Sequence, residues 1–130
     1  MASGGRWRQV GVVLAVGAAY DLIFGVAILG FTRPAAALLG LPVPDDPVYL
    51  YLNGVFLLLL AGLYAAAARE PERYRAVAPI SAGGRVVGFG LFLWAWAGGR
   101  PSSFLALGLA DLGLAVATFA AWRRAVALSD

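Results

Sequence analysis

Four apolar segments, each about the length of a membrane-spanning helix, are the feature that most restricts what this chain can fold into. They cover approximately residues 8–31, 48–68, 76–96 and 103–122. A helix of about 20 apolar residues crosses a hydrocarbon layer of about 30 Å and satisfies its own backbone hydrogen bonds there. With 62% apolar and 13% charged residues, the composition favours the same class. We therefore predict an all-α integral membrane four-helix bundle, with residues 1–130 forming a single domain.

The segment from Thr32 to Pro47 interrupts the apolar pattern after the first span, because it contains four prolines and two adjacent aspartates. Within it, Pro34 can begin a short helix and Gly40 can end it. The apolar side chains between these two residues would let the helix lie in the headgroup region. We predict a loop that carries one short interfacial helix.

The flanking residues predict where the first and last spans end. The first span is expected to begin at Arg8, with residues 1–5 frayed, and to be retained because it is longer than the apolar core of a signal peptide. Ser102 or Ser103 can cap the last span by accepting a hydrogen bond from its first backbone N–H groups. The arginine pair 123–124 is expected to end that span at the headgroups.

The arginines are divided unequally between the two sides of the predicted bundle. One side holds seven of them, namely Arg6, Arg8, Arg69, Arg73, Arg75, Arg123 and Arg124. The other side holds Arg33 and Arg100. Because basic loops stay cytoplasmic, we predict a multi-pass protein of the cell inner (plasma) membrane with both termini in the cytoplasm. Basic residues beside membrane spans set the topology and contact anionic lipid headgroups, which is sufficient to explain the formal charge of +3. We therefore expect no nucleic-acid partner.

Three ionisable residues interrupt the apolar segments at a similar depth. Asp21, Arg85 and Asp111 lie about eleven, nine and eight residues into the first, third and fourth spans, so a rise of about 1.5 Å per residue places them near the bilayer midplane. A charge at that depth costs about 2.5 kcal/mol or more, so such side chains face the protein interior and find partners. A guanidinium can bind a carboxylate on each side, and we predict that Arg85 bridges the two aspartates.

Small residues flank these charges at helical spacing. Gly17 and Gly25 lie four residues before and after Asp21, and Gly88 lies on the same predicted face as Arg85. Small residues on such faces allow helices to approach closely. The pattern predicts either tight packing or a narrow cavity beside the charges.

Other polar side chains can reach the interior of the bundle. Asn53 lies in the outer half of the second span, one turn after Tyr49, and can extend a polar track toward the first loop. The remaining hydrogen-bonding candidates are Tyr20, Tyr64 and Ser81. We therefore predict a polar core that consists of Asn53 and the three charged residues, with the tyrosines and the serine in a secondary role.

The three charged residues, hereafter the charge triad, have two interpretations. A buried ladder of aspartate, arginine and aspartate can fix the register of a helix bundle without binding anything, and we favour this interpretation. The alternative is a site for a proton or a ligand, because intramembrane ionisable residues are functional candidates and the formal charge of the triad is negative.

Several short motifs resemble those of the small bacterial four-helix membrane proteins grouped as DoxX-like. They are Tyr20-Asp21-Leu22, the loop 34–44, Asn53-Gly54 and Gly84-Arg85. The turn from Arg69 to Arg75 is similar to the equivalent turn of BphX-like proteins. The resemblance covers almost the whole chain and implies a four-helix membrane fold and an accessory role. The named members of these groups are linked to quinone-coupled sulfur oxidation or to operons for aromatic degradation.

The absence of cysteine and histidine narrows the possible chemistry, because it excludes disulfides and thiolate or imidazole metal sites. We expect no catalytic residues, metal or cofactor, although an enzyme that uses Asp21 and Asp111 as acid and base stays open. The first expected function is a non-catalytic accessory or scaffold subunit, a homo-oligomer or part of a larger membrane complex, that associates through a small-residue face with Gly54 and Gly62. The alternative is a carrier or channel for a proton, small ion or apolar ligand that uses the charge triad.

Overall fold

A computed structural model of the chain describes residues 3–129, which form five α-helices. They are α1 (Ser3–Gly30), α2 (Thr32–Leu39), α3 (Val48–Arg69), α4 (Val77–Ala97) and α5 (Ser102–Ala127). The four helices other than α2 are long and apolar enough to cross a membrane. The predicted all-α fold with four spans is confirmed, and α3 and α4 agree with their predicted ranges to within about one residue.

The first helix, α1, begins at Ser3 rather than at the predicted Arg8. Residues 3–5, which the sequence predicts to be frayed, are helical, and the same prediction for residues 1–2 lies outside the described part of the chain. Trp7 is only 4% exposed, so the first turns of α1 are anchored in the protein core. Tertiary burial of this side chain outweighs the weak helix preference of the glycines before it.

The last helix, α5, begins at Ser102 with Pro101 at its N-cap position and no side-chain cap hydrogen bond. The predicted serine cap is therefore wrong, because Ser102 and Ser103 already lie within the first helical turn. The helix ends at Ala127, beyond the pair 123–124 that was expected to stop it. Arginine is a good helix former, and its long side chain can reach the headgroups from within a helix.

The short helix, α2, begins at Thr32 rather than at Pro34. The Thr32 hydroxyl donates a hydrogen bond to the carbonyl of Ile28 in α1, which ties the start of α2 to the end of α1. The helix ends at Leu39, and Gly40 follows in a left-handed conformation with φ of 63°, which glycine adopts without steric cost. The predicted glycine stop is confirmed, and the start is corrected.

Helix α1 packs against α3 and α5, while α4 packs against α5. Glycines permit the closest approaches: a Cβ on Gly11 of α1 would lie 2.8 Å from the carbonyl oxygen of Ala68 in α3. Likewise, a Cβ on Gly108 of α5 would lie 3.0 Å from the Cβ of Phe92 in α4. Among the described helices, α3 and α4 are joined by a short turn but do not pack closely along their lengths, which leaves space between them.

The two halves of the bundle differ in packing. The terminal half, defined as the half with the start of α1, the turn 70–76 and the end of α5, contains the hydrophobic core. Its buried members are Trp7, Val10, Leu14, Ala18, Tyr64, Ala67, Ala78, Ala121 and Ala125. The other half, hereafter the α2 half, contains α2 and the turn between α4 and α5. This second half encloses a cavity instead of a continuous core.

Candidate functional site

Arg85 of α4 joins three helices through its guanidinium group. Its Nη1 donates a hydrogen bond to Oδ1 of Asp111 in α5 at 2.9 Å. Its Nη2 donates to Oδ1 and Oδ2 of Asp21 in α1, both at 3.1 Å, and to the carbonyl oxygen of Gly17 at 3.4 Å. The bridge that the sequence predicts between the two aspartates is therefore present. It connects α4 to α1, although these two helices are not among the closely packed pairs of the described structure.

Two tyrosine rings lie close to the same guanidinium. The Cζ atom of Arg85 is 5.5 Å from the ring centroid of Tyr20 and 5.7 Å from that of Tyr64. A guanidinium within about 6 Å of an aromatic face gains a cation–π attraction, which is stronger where water is excluded. The two tyrosines therefore add to the electrostatic stabilisation of Arg85, and both belong to the site as predicted residues of the secondary group.

Glycines provide the space that the charge triad occupies. A Cβ on Gly17 would lie 3.2 Å from Nη2 of Arg85, and a Cβ on Gly88 would lie 3.1 Å from Oδ2 of Asp111. These distances are shorter than ordinary van der Waals contacts, so a larger residue would require the neighbouring charged group to shift by a few tenths of an ångström. The predicted small-residue pattern beside the charges thus corresponds to close packing at Gly17 and Gly88.

A cavity of about 700 Å³ extends from the charge triad into the α2 half. All five helices contribute to its lining, and α2 contributes Thr32, Ala35, Ala36 and Leu39. Most of the other lining side chains are apolar, with Phe24, Phe92 and further residues of α3 and α5 among them. Small-molecule sites combine such an apolar lining with a few converging polar groups, and their volumes are about 300–1,000 Å³. The triad therefore lies between a packed core and an apolar cavity.

The remaining predicted site residues divide between the cavity and its surroundings. Asn53 lines the cavity from α3, and its side chain is exposed there. Tyr49 is 81% exposed and lies outside the lining, so the structure does not bring it to the site. Ser81 is buried one turn before Arg85 and also lies outside the lining.

Sequence reasoning missed most of the apolar lining. Phe104 and Leu107 of α5 and Ile80 of α4 face the cavity, but nothing in their local sequence distinguishes them from neighbouring apolar residues. Phe92, which also lines the cavity, packs edge to face on Phe104 with centroids 5.9 Å apart. The available sequence signal for these residues was a separation of about one or two helical turns from a member of the charge triad.

The predicted helix-association face on α3 is not one surface. A Cβ on Gly54 would lie 2.9 Å from Cγ of Leu29 and 3.0 Å from Cγ2 of Ile28, so Gly54 packs against α1. Gly62 is exposed, and a Cβ there would meet no atom within 4 Å. The two glycines therefore serve different contacts, because eight residues on a helix of 3.6 residues per turn do not return to the same direction.

The donor set of the site does not match a metal centre. The part of the chain that the structure describes contains no group of three or more histidine, cysteine, aspartate or glutamate side chains that could hold a metal ion. Both aspartates of the triad already accept hydrogen bonds from Arg85. The site can instead form hydrogen bonds and electrostatic contacts with a molecule in the cavity.

Comparisons with protein-family models, with curated proteins and with solved structures found no match. The similarity to DoxX-like proteins therefore stays a prediction from short motifs. The cavity and the charges at its inner end are the features of this chain that indicate a function.

Proposed function

We propose that this protein binds an apolar small molecule within the bilayer, in the cavity of the α2 half. The observation that carries the proposal is an apolar cavity of about 700 Å³ whose charged groups converge at one end, on the charge triad. A site that only fixes helix register has no need of such a volume beside it. The cavity therefore favours the apolar-ligand form of the carrier hypothesis over a purely structural ladder.

The gap between α3 and α4 supplies a route from the lipid to this cavity. Leu60 of α3 and Ile80 and Gly84 of α4 line the cavity and are also exposed. A molecule dissolved in the hydrocarbon layer can reach the cavity sideways through this gap without crossing the headgroups. This geometry suits a ligand that partitions into membranes.

Two adjacent glycines provide a matched test of the cavity. A Cβ on Gly83 or on Gly84 would meet no atom within 4 Å, but only Gly84 belongs to the lining. Gly84→Phe places a ring in the opening, whereas Gly83→Phe adds the same ring outside it. The probe is 11-(dansylamino)undecan-1-ol, whose emission shifts on transfer to an apolar site, added to the protein in nanodiscs of neutral phosphatidylcholine.

We expect saturable probe binding by the unmodified protein and by Gly83→Phe. Gly84→Phe should weaken binding by about tenfold or more, because inserting a large side chain into a defined site carries a steric cost. Empty nanodiscs correct for partition into lipid. Equal binding by the two variants, or no saturable binding by the unmodified protein, would overturn the proposal.

A role as accessory subunit of a membrane assembly is the second candidate. Exposed glycines favour it: at Gly62 of α3 and Gly90 of α4, a Cβ would meet no atom within 4 Å, so another helix can approach closely. The resemblance to DoxX-like proteins supports the same role. Gly62→Phe should then release a partner, or a second copy, from the protein purified in mild detergent, without changing probe binding. An unchanged native mass for Gly62→Phe would argue against this interface.

We also propose that the terminal half faces the cytoplasm of a bacterial cell, which the seven-to-two distribution of arginines supports. The chain lacks cysteine, so single cysteines can report orientation. Ser129→Cys should react with a membrane-impermeant maleimide only after cell lysis, whereas Asp45→Cys should react in intact spheroplasts. The reverse pattern would refute this orientation.

A further inference from the structure

The charges at the inner end of the cavity do not balance. Among the cavity-lining residues that the structure describes, the charged side chains are Arg85, Asp21 and Asp111. One guanidinium faces two carboxylates, so the formal charge of the group is negative. An uncompensated charge at membrane depth is costly, and such residues usually meet a partner of opposite sign.

The excess acceptor of the triad belongs to Asp111. Every hydrogen bond of the Arg85 guanidinium ends on Asp21, on the Gly17 carbonyl or on Oδ1 of Asp111. Within residues 3–129, no donor reaches Oδ2 of Asp111. The Asp111 side chain is 14% exposed, compared with 4% for Asp21, and it lines the cavity. Oδ2 is therefore the acceptor that a molecule in the cavity can reach.

A positively charged donor fits this position better than a neutral one. A hydroxyl group could donate to Oδ2 of Asp111, but it would leave the charge of the triad unbalanced. An ammonium group can donate the same hydrogen bond and also neutralise the charge. A hydrated metal ion is disfavoured by the apolar lining and by the lack of a third acidic ligand among the described residues.

We propose that the cavity takes a lipophilic amine, whose protonated nitrogen contacts Oδ2 of Asp111 and whose apolar body fills the α2 half. This inference rests on the proposed function, since it names the ligand class of the same cavity. The amine enters from the bilayer through the gap between α3 and α4. The ammonium group completes the charge balance that Arg85 leaves open.

The test compares two probes that differ only in the head group. The amine is 11-(dansylamino)undecylamine, and the neutral reference is the corresponding alcohol used above. Both are titrated into the protein in nanodiscs of neutral phosphatidylcholine, with empty nanodiscs as the blank. Asp111→Asn removes the charge but keeps the shape of the side chain, and Asp45→Asn in the exposed first loop is the matched control.

The unmodified protein and Asp45→Asn should bind the amine about tenfold or more tightly than the alcohol, since hydrogen bonds to charged groups are stronger than neutral ones. Asp111→Asn should bind both probes with affinities that agree within about twofold. Equal affinity for amine and alcohol in the unmodified protein would overturn the inference, and this comparison requires no variant to fold. A preference for the amine that persists in Asp111→Asn would overturn it as well. Saturable binding of the alcohol tests the proposed cavity, whereas the ratio of the amine and alcohol affinities tests the proposed ligand class. The two proposals therefore fail in distinguishable ways.

Discussion

Replacement of Arg85 by methionine should destabilise the bundle more than any other single change in the charge triad. Methionine keeps an unbranched, flexible side chain, although a shorter one than that of arginine, and it has no hydrogen-bond donor. Two carboxylates, on Asp21 and Asp111, would then lie in the membrane interior without their cation. The three helices that Arg85 connects would lose their only polar bridge in the described residues.

The magnitude follows from the hydrogen bonds that are lost. Arg85 donates three of them to carboxylate oxygens, at 2.9 to 3.1 Å. Interhelical hydrogen bonds in a membrane protein contribute about 0.6 kcal/mol on average and at most about 1.7 kcal/mol, so the three contribute about 2–5 kcal/mol. Removal of one partner from a buried ion pair costs about 3–5 kcal/mol. We therefore expect Arg85→Met to lower the free energy of unfolding by about 3–5 kcal/mol.

The aspartate variants should be milder, because each leaves one guanidinium facing one carboxylate. Asp21 accepts two of the hydrogen bonds and is 3% exposed, so Asp21→Asn should cost about 1–2 kcal/mol. Asp111 accepts one hydrogen bond and is partly open to the cavity, so Asp111→Asn should cost less than about 1 kcal/mol. The expected order of destabilisation is Arg85→Met, then Asp21→Asn, then Asp111→Asn.

Equilibrium unfolding in mixed micelles, with an increasing mole fraction of sodium dodecyl sulfate, measures these free energies. Tryptophan fluorescence is a suitable signal because Trp7 belongs to the buried core. Circular dichroism of each variant before unfolding checks that the helices are intact. A loss of less than about 1 kcal/mol for Arg85→Met, or an equal loss for Asp111→Asn, would refute the assignment of Arg85 as the cation that balances the bundle.

Two further predictions concern packing and the surface. Gly11→Val should lower the free energy of unfolding by about 1–3 kcal/mol, because a Cβ there would lie 2.8 Å from the Ala68 backbone oxygen. Gly62→Val, at a position where a Cβ meets no atom within 4 Å, is the control. Equal unfolding midpoints for the two variants would contradict the assignment of Gly11 to a close helix contact. The hydrogen bond that Arg73 donates to the Glu70 carboxylate raises the pKa of the guanidinium above its usual range. A group whose pKa is raised on folding stabilises the folded state fully at any pH below its pKa in the unfolded state. This stabilisation is lost only as the pH rises through the pKa of the group in the folded state. Glu70→Gln should therefore change the unfolding midpoint, relative to the unmodified protein, by the same small amount at every pH between about 6 and 9, and a difference that varies with pH in this range would contradict this expectation.

The spans and the bridge could be predicted from the sequence because each depends on a local or one-dimensional property. A stretch of apolar residues has few options in water or in lipid other than a membrane-spanning helix. Asp21, Arg85 and Asp111 share a depth because their distances from the span ends are similar. An arginine and two aspartates at one depth in a small bundle have a strong electrostatic reason to meet.

Helix ends were less predictable, since they depend on neighbours that the local sequence does not specify. The start of α1 at Ser3 depends on burial of Trp7 against residues from other helices. The start of α2 at Thr32 depends on a hydrogen bond to the preceding helix. The continuation of α5 to Ala127 reflects the freedom of arginine side chains to extend toward headgroups from a helix.

The sequence by itself determined four spans, their boundaries to within about five residues, and a triad of charges that must face inward. Only the tertiary structure decided that α3 and α4 stand apart, that the terminal half is packed, and that the α2 half encloses a cavity. The physical reason is that lipid and protein interior are similarly apolar. A leucine or phenylalanine is stable in either environment, so its residue type does not indicate whether it faces the lipid or the protein interior. Charged side chains can be predicted to face the protein interior because they are unstable in lipid. The apolar lining of the cavity, in contrast, is defined only by the relative positions of the helices.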